Sequence, residues 1–401
     1  MAVEAPPSPP AGARGHDPVR QPDRLADALT PALILDLARL QRNARRMRER
    51  AASLGVQLRP HMKTAKSLRV GDILVGDGPR LATVSTLAEA AGFLGHGYSD
   101  VLYAVGIVGA KLPEAARAAA AGPGRLSLVL DSTAAADAVA AFLAAQGPLF
   151  DVLIEVDCDG TRAGVPPGER DLLLAIAARL APSGALRGVM THAGGSYGGR
   201  DSDAHAAAAE QERQAAVAAA ETLRAAGHAC PVVSVGSTPT ATFARHLAGV
   251  TELRAGVYGF GDLFQAGIGV CAVEDIAISV LASVISRAPE RGRLLVDAGF
   301  LALSRDRATA ELADDWGFGR VGRLADASPI ADLMIAATNQ EHGRIVSRGG
   351  GTDPFALALG DRVRILPNHA CATAAGHDRY LLVDGGAAIL DVWPRIGGWV
   401  A

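Results

Sequence analysis

Residues 59–67 read RPHMKTAKS, directly after the alternating run VQL. An arginine, a histidine and two lysines fall within a few positions of one another. A lysine at a strand end inside a closed mouth loses solvent, and burial lowers its pKa. The neutral amine can then attack a carbonyl and form a Schiff base. Lys63 is the candidate. The plainer alternative is a surface lysine flanking His61 and Lys66.

Other polar clusters follow other apolar runs. DCDGTRAGV places Asp157, Asp159 and Arg162 together. Arg162 would hydrogen-bond an anionic oxygen or form an ion pair with a neighbouring carboxylate. THAGGSY supplies His192 and Tyr197, and SVGSTPT supplies Ser237 and Thr238 beside Gly236. ELRAGVYGFG brings Arg254 and the backbone amides of Gly256 and Val257. Hydroxyls and amides of this kind suit a phosphate cradle, although two ordinary Gly-rich turns would read alike. Neither a P-loop nor a GxGxxG after the first strand is present, which argues against a nucleotide site.

PNHACATAAGHDR separates His369 and Cys371 by one residue. On a strand, positions i and i+2 share a face, and imidazole with thiolate is a zinc-type donor set. A buried cysteine beside a satisfied histidine is the plain alternative. His377 and Asp378 either complete the shell or face solvent. NQEHG (339–343) and DAGFLALSRDR (297–307) either line the same mouth or form turns.

Catalytic clusters at strand ends imply a scaffold that gathers strand ends. Eight β-like runs alternate with Ala-rich helical segments: ALILDL (32–37), VQLRP (56–60), LATVS (81–85), DVLYAV (100–105), RLSLVLD (125–131), DVLIEVD (151–157), LRGVMTH (186–192) and PVVSVGS (231–237). Alternation of this kind predicts parallel strands joined by right-handed crossovers. A count of eight favours a (β/α)8 barrel over an open doubly wound sheet. Beyond residue 265 the runs become strands joined by Gly and Asp turns, with few helices. The expected organisation is an N-terminal arm (1–22), a barrel (23–265) and a mostly-β C-terminal domain (266–401).

The 401 residues carry a net charge of −3 and are 49% hydrophobic. A near-balanced charge gives no footprint for nucleic acid or an anionic membrane, and no apolar run has the length of a membrane helix. Cys158, Cys230, Cys271 and Cys371 are scattered rather than arranged as a disulfide framework, which points to a reducing cytoplasm. The Pro- and Ala-rich N-terminus lacks the apolar core of a secretory signal and reads as a flexible arm.

From about Thr30 to Trp399 the ordered motifs resemble the fold-type III pyridoxal-phosphate enzymes. Within these, they resemble the D-serine dehydratase and D-threonine aldolase group, akin to alanine racemase. TVSTLAEA, THAGGSY, SVGSTPTA, ELRAGVY, NQEHG and ILPNHACAT most nearly resemble the D-threo-3-hydroxyaspartate dehydratases. The resemblance implies a pyridoxal 5'-phosphate cofactor on Lys63, with Arg162 near its phenolic oxygen and Arg254 near its pyridine nitrogen. Ser237, Thr238, Gly256 and Val257 would form its phosphate cup, and His192 and Tyr197 would line its pocket. His369 and Cys371 would hold a divalent metal, zinc in the first place, with manganese, cobalt or magnesium as alternatives. Two departures stand out. Many relatives carry a histidine where this chain has Ala65, and many read HxCPTVN where this chain has Ala372, Ala374 and Ala375.

The reaction so implied is dehydration of a D-3-hydroxyamino acid to a 2-oxo acid and ammonia, with Lys63 as the base and the metal assisting loss of hydroxide. The alternative is retro-aldol cleavage to glycine and an aldehyde. Aldolases of this group commonly show H-x-D, so Cys371 favours dehydration. A racemase needs two opposed bases, and the motifs supply one lysine. A non-catalytic cofactor carrier would not need the β domain or the H-x-C pair. A hydroxyaspartate substrate brings a second carboxylate, for which Arg305 and Arg307 are candidate partners. The resemblance also implies a homodimer.

Overall fold

The computed structural model describes residues 22–400, so the N-terminal arm lies outside the described residues apart from Pro22. Seventeen strands follow in chain order: β1 (Ala32–Asp36), β2 (Gln57–Leu58), β3 (Leu81–Val84), β4 (Asp100–Gly106), β5 (Arg125–Leu130), β6 (Asp151–Val156), β7 (Leu186–Thr191), β8 (Val232–Val235), β9 (Glu252–Leu253), β10 (Ile278–Ala288), β11 (Arg293–Val296), β12 (Arg320–Arg323), β13 (Pro329–Thr338), β14 (Gly343–Ser347), β15 (Arg362–Leu366), β16 (Arg379–Val383) and β17 (Asp391–Pro394).

Strands β2 to β9 form an eight-stranded parallel sheet in the order β2-β9-β8-β7-β6-β5-β4-β3. The ring closes just past β2. There His61 bridges Thr83, the Met62 amide donates to the Thr83 carbonyl at 2.7 Å, and the Thr83 amide donates to Pro60 at 2.8 Å. Strands such as β5 are buried almost throughout, as expected when one face fills a barrel and the other meets helices.

The helix Leu37–Ser53 shows how the outer layer forms. Asp36 caps it by accepting from the Arg39 amide, and Leu40, Ala44, Met47 and Ala51 make its buried stripe. Among the described residues, no helix is long and apolar enough to cross a membrane.

The expected strand list needs one correction. ALILDL is not a barrel strand. As β1 it lies in a second, nine-stranded sheet, antiparallel to β10 and parallel to β16. The eighth barrel strand is the two-residue β9, inside the TELR segment. An apolar run shows that a strand is buried but not which sheet buries it. A two-residue strand is too short to show a period at all.

The second sheet is mostly antiparallel. An added β10–β11 pairing closes β10, β11, β14, β13, β12 and β15 into a ring of their own. β1 thus brings the start of the described chain into the same sheet as its last strands, β16 and β17. Asp306, Ala308, His369 and Cys371, from connections between strands of this sheet, line the barrel mouth.

Candidate active site

The C-terminal ends of the barrel strands open into one cavity of about 530 Å³. Lys63, Arg162, His192, Tyr197, Ser237, Thr238, Arg254, Gly256 and Val257 line it from the barrel, and His369 and Cys371 line it from the second sheet. Lys63 leaves the β2 extension just where the ring closes. Burial lowers its pKa, the guanidinium groups of Arg162 and Arg254 lower it further, and Cys371 opposes them. A larger share of this amine is therefore neutral than for a solvated lysine.

Arg254 is buried at the end of β9. It donates to Ser234 Oγ at 2.6 Å and to the Thr191 carbonyl at 2.5 Å. Its guanidinium is thus fixed in place across three neighbouring strands. His192 donates from Nδ1 to the Gly236 carbonyl at 2.8 Å, and burial takes its pKa down to about 3. The ring is neutral and its tautomer is set, which leaves Nε2 as an acceptor. Tyr197 packs between His192 and Phe264 with ring centroids 6.4 and 6.3 Å away.

Ser237 caps the short helix Thr238–Phe243, and its hydroxyl lies 2.8 Å from Ser196 Oγ. Thr238 Oγ1 is buried without a hydrogen-bond partner. A buried hydroxyl in that state is costly unless a ligand or water meets it. The backbone here is equally committed. Gly236 has φ +141°, and a Cβ there would lie 1.9 Å from the Arg254 carbonyl oxygen. A Cβ on Gly256 would lie 2.7 Å from the His61 carbonyl oxygen. Gly236→Ala is expected to cost about 2–4 kcal/mol, and thermal melting would check it.

The metal candidates reach the cavity by a route different from the expected one. His369 and Cys371 do not share a strand. His369 is the extended residue that begins the helix Ala370–Ala375, and Cys371 lies in its first turn. The chain stops being a strand at Leu366, where Pro367 follows, so alternation cannot apply.

The imidazole Nδ1 of His369 meets Asp306 Oδ2 at 2.6 Å. Burial pulls the His369 pKa down, but Asp306 and Cys371 outweigh it and hold it up at about 10. The pocket therefore favours a positive charge at this point. Thr64 Oγ1 and Cys371 Sγ are 2.9 Å apart, so the cysteine directly neighbours the lysine loop. An imidazole with Nε2 available and an adjacent thiol fit a divalent metal of zinc type. Among the described residues, no group of three or more His, Cys, Asp or Glu could hold a metal.

Several neighbours end up elsewhere. His377 Nε2 bonds the Ala302 carbonyl at 3.0 Å, and Asp378 pairs with Arg379. Arg305 stacks on Phe300, and Arg307 pairs with Asp315 at 2.6 Å. Asp306, between those two arginines, is the residue that lines the cavity. Asp157 and Asp159 fold their own loop by accepting from the Gly160, Thr161 and Gly195 amides. NQEHG is the turn between β13 and β14.

Reading by motif passed over three further carboxylates. Glu155, at the end of β6, lines the cavity. Asp262 accepts from the Ala370 amide at 2.9 Å and so orients the metal-candidate helix. Glu212 is wholly buried and accepts from the Ala193 and Gly236 amides and from Thr240 Oγ1. A signal for Glu212 was available, because it is a charge within the apolar stripe of the helix Ser202–Ala225.

Comparison with known proteins identifies the family and the fold. Residues 35–263 match the family model "Alanine racemase, N-terminal domain", and residues 277–383 match "Putative serine dehydratase domain". The chain belongs to the fold-type III pyridoxal-phosphate enzymes. It is 48% identical to a D-threo-3-hydroxyaspartate dehydratase from Delftia sp. (strain HT23), over 94% of this chain and all of that one. It is 31% identical to a D-serine dehydratase from Dictyostelium discoideum, over 94% of this chain and 99% of the relative. A solved structure of a cysteine-to-alanine mutant of D-threo-3-hydroxyaspartate dehydratase, in the metal-free form, superposes with a TM-score of 0.90. It is 46% identical and covers 94% of this chain and 100% of that one.

Proposed function

We propose that this chain is a pyridoxal-phosphate- and divalent-metal-dependent dehydratase of D-3-hydroxyamino acids, with D-threo-3-hydroxyaspartate and D-serine as the first substrates to test. The observation that carries the reading is one cavity shared by a desolvated Lys63 and the His369–Cys371 pair. The dehydratase at 48% identity supports the reaction class. Aldolases among the relatives are more distant, at 31% identity or less.

Pyridoxal phosphate, when bound, supplies the electron sink for charge at the substrate Cα. A divalent metal, when bound, supplies a Lewis acid for the departing β-hydroxyl. The chain's own groups do the rest. Lys63 would hold the cofactor through Nζ, and the same amine, when free, would take the Cα proton of the substrate. Arg254, held by Ser234 and the Thr191 carbonyl, and Arg162, at the cavity wall, would place positive charge beside the cofactor. Ser237, Thr238 and the amides of Gly256 and Val257 would receive its phosphate, while His192 and Tyr197 wall the pocket. His369 and Cys371 would hold the metal, and Asp306, bonded to His369 Nδ1, would fix the orientation of that ring. Loss of water and then hydrolysis releases one 2-oxo acid and one ammonia for each substrate.

The metal reading is supported by the donor set and by the existence of a metal-free form of the related dehydratase, and zinc follows from the thiol. A homodimer and a cytoplasmic setting complete the proposal, the latter supported by four free cysteines. The test is a panel of D-threo-3-hydroxyaspartate, D-serine and D-threonine with the cofactor-loaded chain. The expected product from the first two is a 2-oxo acid with equimolar ammonia. Glycine from D-threonine, with no 2-oxo acid from the others, would replace this reading by retro-aldol cleavage.

A further inference from the structure

The three carbonyls that follow Lys63 are all held from the far end of the chain. Arg395 Nη2 donates to the Thr64 carbonyl at 3.3 Å. Tyr380 Oη donates to the Ala65 carbonyl at 2.7 Å, and Arg395 Nε reaches the same oxygen at 3.3 Å. The Ile396 amide donates to the Lys66 carbonyl at 2.5 Å. Lys66 has φ +44°, a left-handed conformation rare for a side-chain-bearing residue, so this turn needs outside support. Its amine is tied in as well, 2.5 Å from the wholly buried carboxylate of Glu89.

The other side of the same guanidinium faces the metal-candidate helix. Arg395 Nη1 donates to the carbonyls of Ala374 and His377, the latter at 2.7 Å. These are the open carbonyls at the end of the helix Ala370–Ala375, whose first residues are flanked by His369 and include Cys371. Tyr380 Oη also accepts from Arg395 Nε at 3.0 Å, which aligns the guanidinium plane. One planar, five-donor group thus spans the lysine loop and the H-x-C helix.

We propose that Arg395 is a positioning residue that sets Lys63 in register with the His369–Cys371 pair. This rests on the function proposed above. The base and the leaving-group site come from different sheets, and their relative placement has to be held to well under an ångström for both to act on one substrate. Arg395 and Tyr380 supply that link from the C-terminal strap.

The test compares Arg395→Ala, Arg395→Lys and Tyr380→Phe in the full, cofactor-loaded chain. Zn2+ affinity is read by competition with a chromophoric chelator in the absence of substrate, and kcat and KM are read with D-threo-3-hydroxyaspartate. Arg395→Ala is expected to weaken Zn2+ binding and to lower kcat, each by about 10–100-fold, with KM moving less. Arg395→Lys is expected to restore little, because a single ammonium cannot bridge carbonyls on both sides. Tyr380→Phe is expected to lower kcat several-fold with the melting temperature near that of the parent.

An Arg395→Ala chain with Zn2+ affinity and kcat within about twofold of the parent would overturn the proposal, as would full recovery by Arg395→Lys. If Arg395→Ala does not fold, Arg395→Lys and Tyr380→Phe decide by the same readings. If the parent makes no 2-oxo acid, the dehydratase reading falls, and the substrate-free Zn2+ affinities still decide the role of Arg395.

Discussion

Lys63→Ala will lose the absorption band of lysine-bound pyridoxal phosphate and will lower turnover by at least about a thousand-fold. The proposed function puts two roles on this one amine, so no neighbour can replace both. Lys66 is the nearest amine in sequence, but it is bound to Glu89 and turned away by the left-handed backbone at its own position. His61 lines the cavity, yet burial first and Lys63 next push its pKa well below the ordinary histidine value. It is too weak a base to take over, and an imidazole cannot form the same Schiff base. Folding should be nearly unaffected, since Lys63 makes no side-chain ion pair among the described residues. The absorption spectrum, a melting curve and the 2-oxo acid assay on one preparation separate these effects. A Lys63→Ala chain that kept the band would place the cofactor on a different amine.

Arg59→Met will destabilise the chain by about 3–5 kcal/mol, the largest stability loss expected here. Arg59 begins the same RPHMK segment but points to the opposite end of the barrel. There it meets Glu252 at 2.9 Å and Asp100 at 3.0 Å, and Arg187 meets the other oxygen of Asp100 at 2.7 Å. Removing the guanidinium leaves the Glu252 carboxylate buried with Ser234 Oγ as its remaining hydrogen-bond partner. The loss should appear as a lower urea midpoint. Burial pushes the Asp100 carboxyl up, but Arg59 and Arg187 outweigh it and hold it below the usual carboxylate range. A depressed carboxylate stabilises the fold above its unfolded pKa, and that stabilisation is lost as pH falls through the folded value. The parent should therefore lose this contribution in acid, and the variant should show a flatter dependence there. Equal midpoints for parent and variant at neutral pH would dismiss the network.

Much of this was legible in the sequence, because the barrel repeats one signal many times. Alternating runs and Ala-rich helices reveal parallel strands wherever a strand is long enough to carry a period. The signal failed at ALILDL, whose apolar pattern suits either sheet, and at β9, where two residues carry no pattern. The site residues carried by strand ends were readable because position alone places them on one face. His369 and Cys371 reach that face too, but through a helix start rather than a strand, so the geometric reason given for them did not hold. Asp306 was hidden between two arginines that looked better suited to a carboxylate substrate. Arg395 and Tyr380 could not be read at all. The lysine-loop carbonyls they hold lie more than 300 positions away, and no motif records a carbonyl.

The most direct test of the central claim is the 2-oxo acid assay on D-threo-3-hydroxyaspartate before and after chelation, followed by addition of Zn2+. The proposed function predicts that chelation removes activity while the cofactor band stays, and that Zn2+ restores equimolar 2-oxo acid and ammonia. Full activity in the chelated enzyme would contradict it.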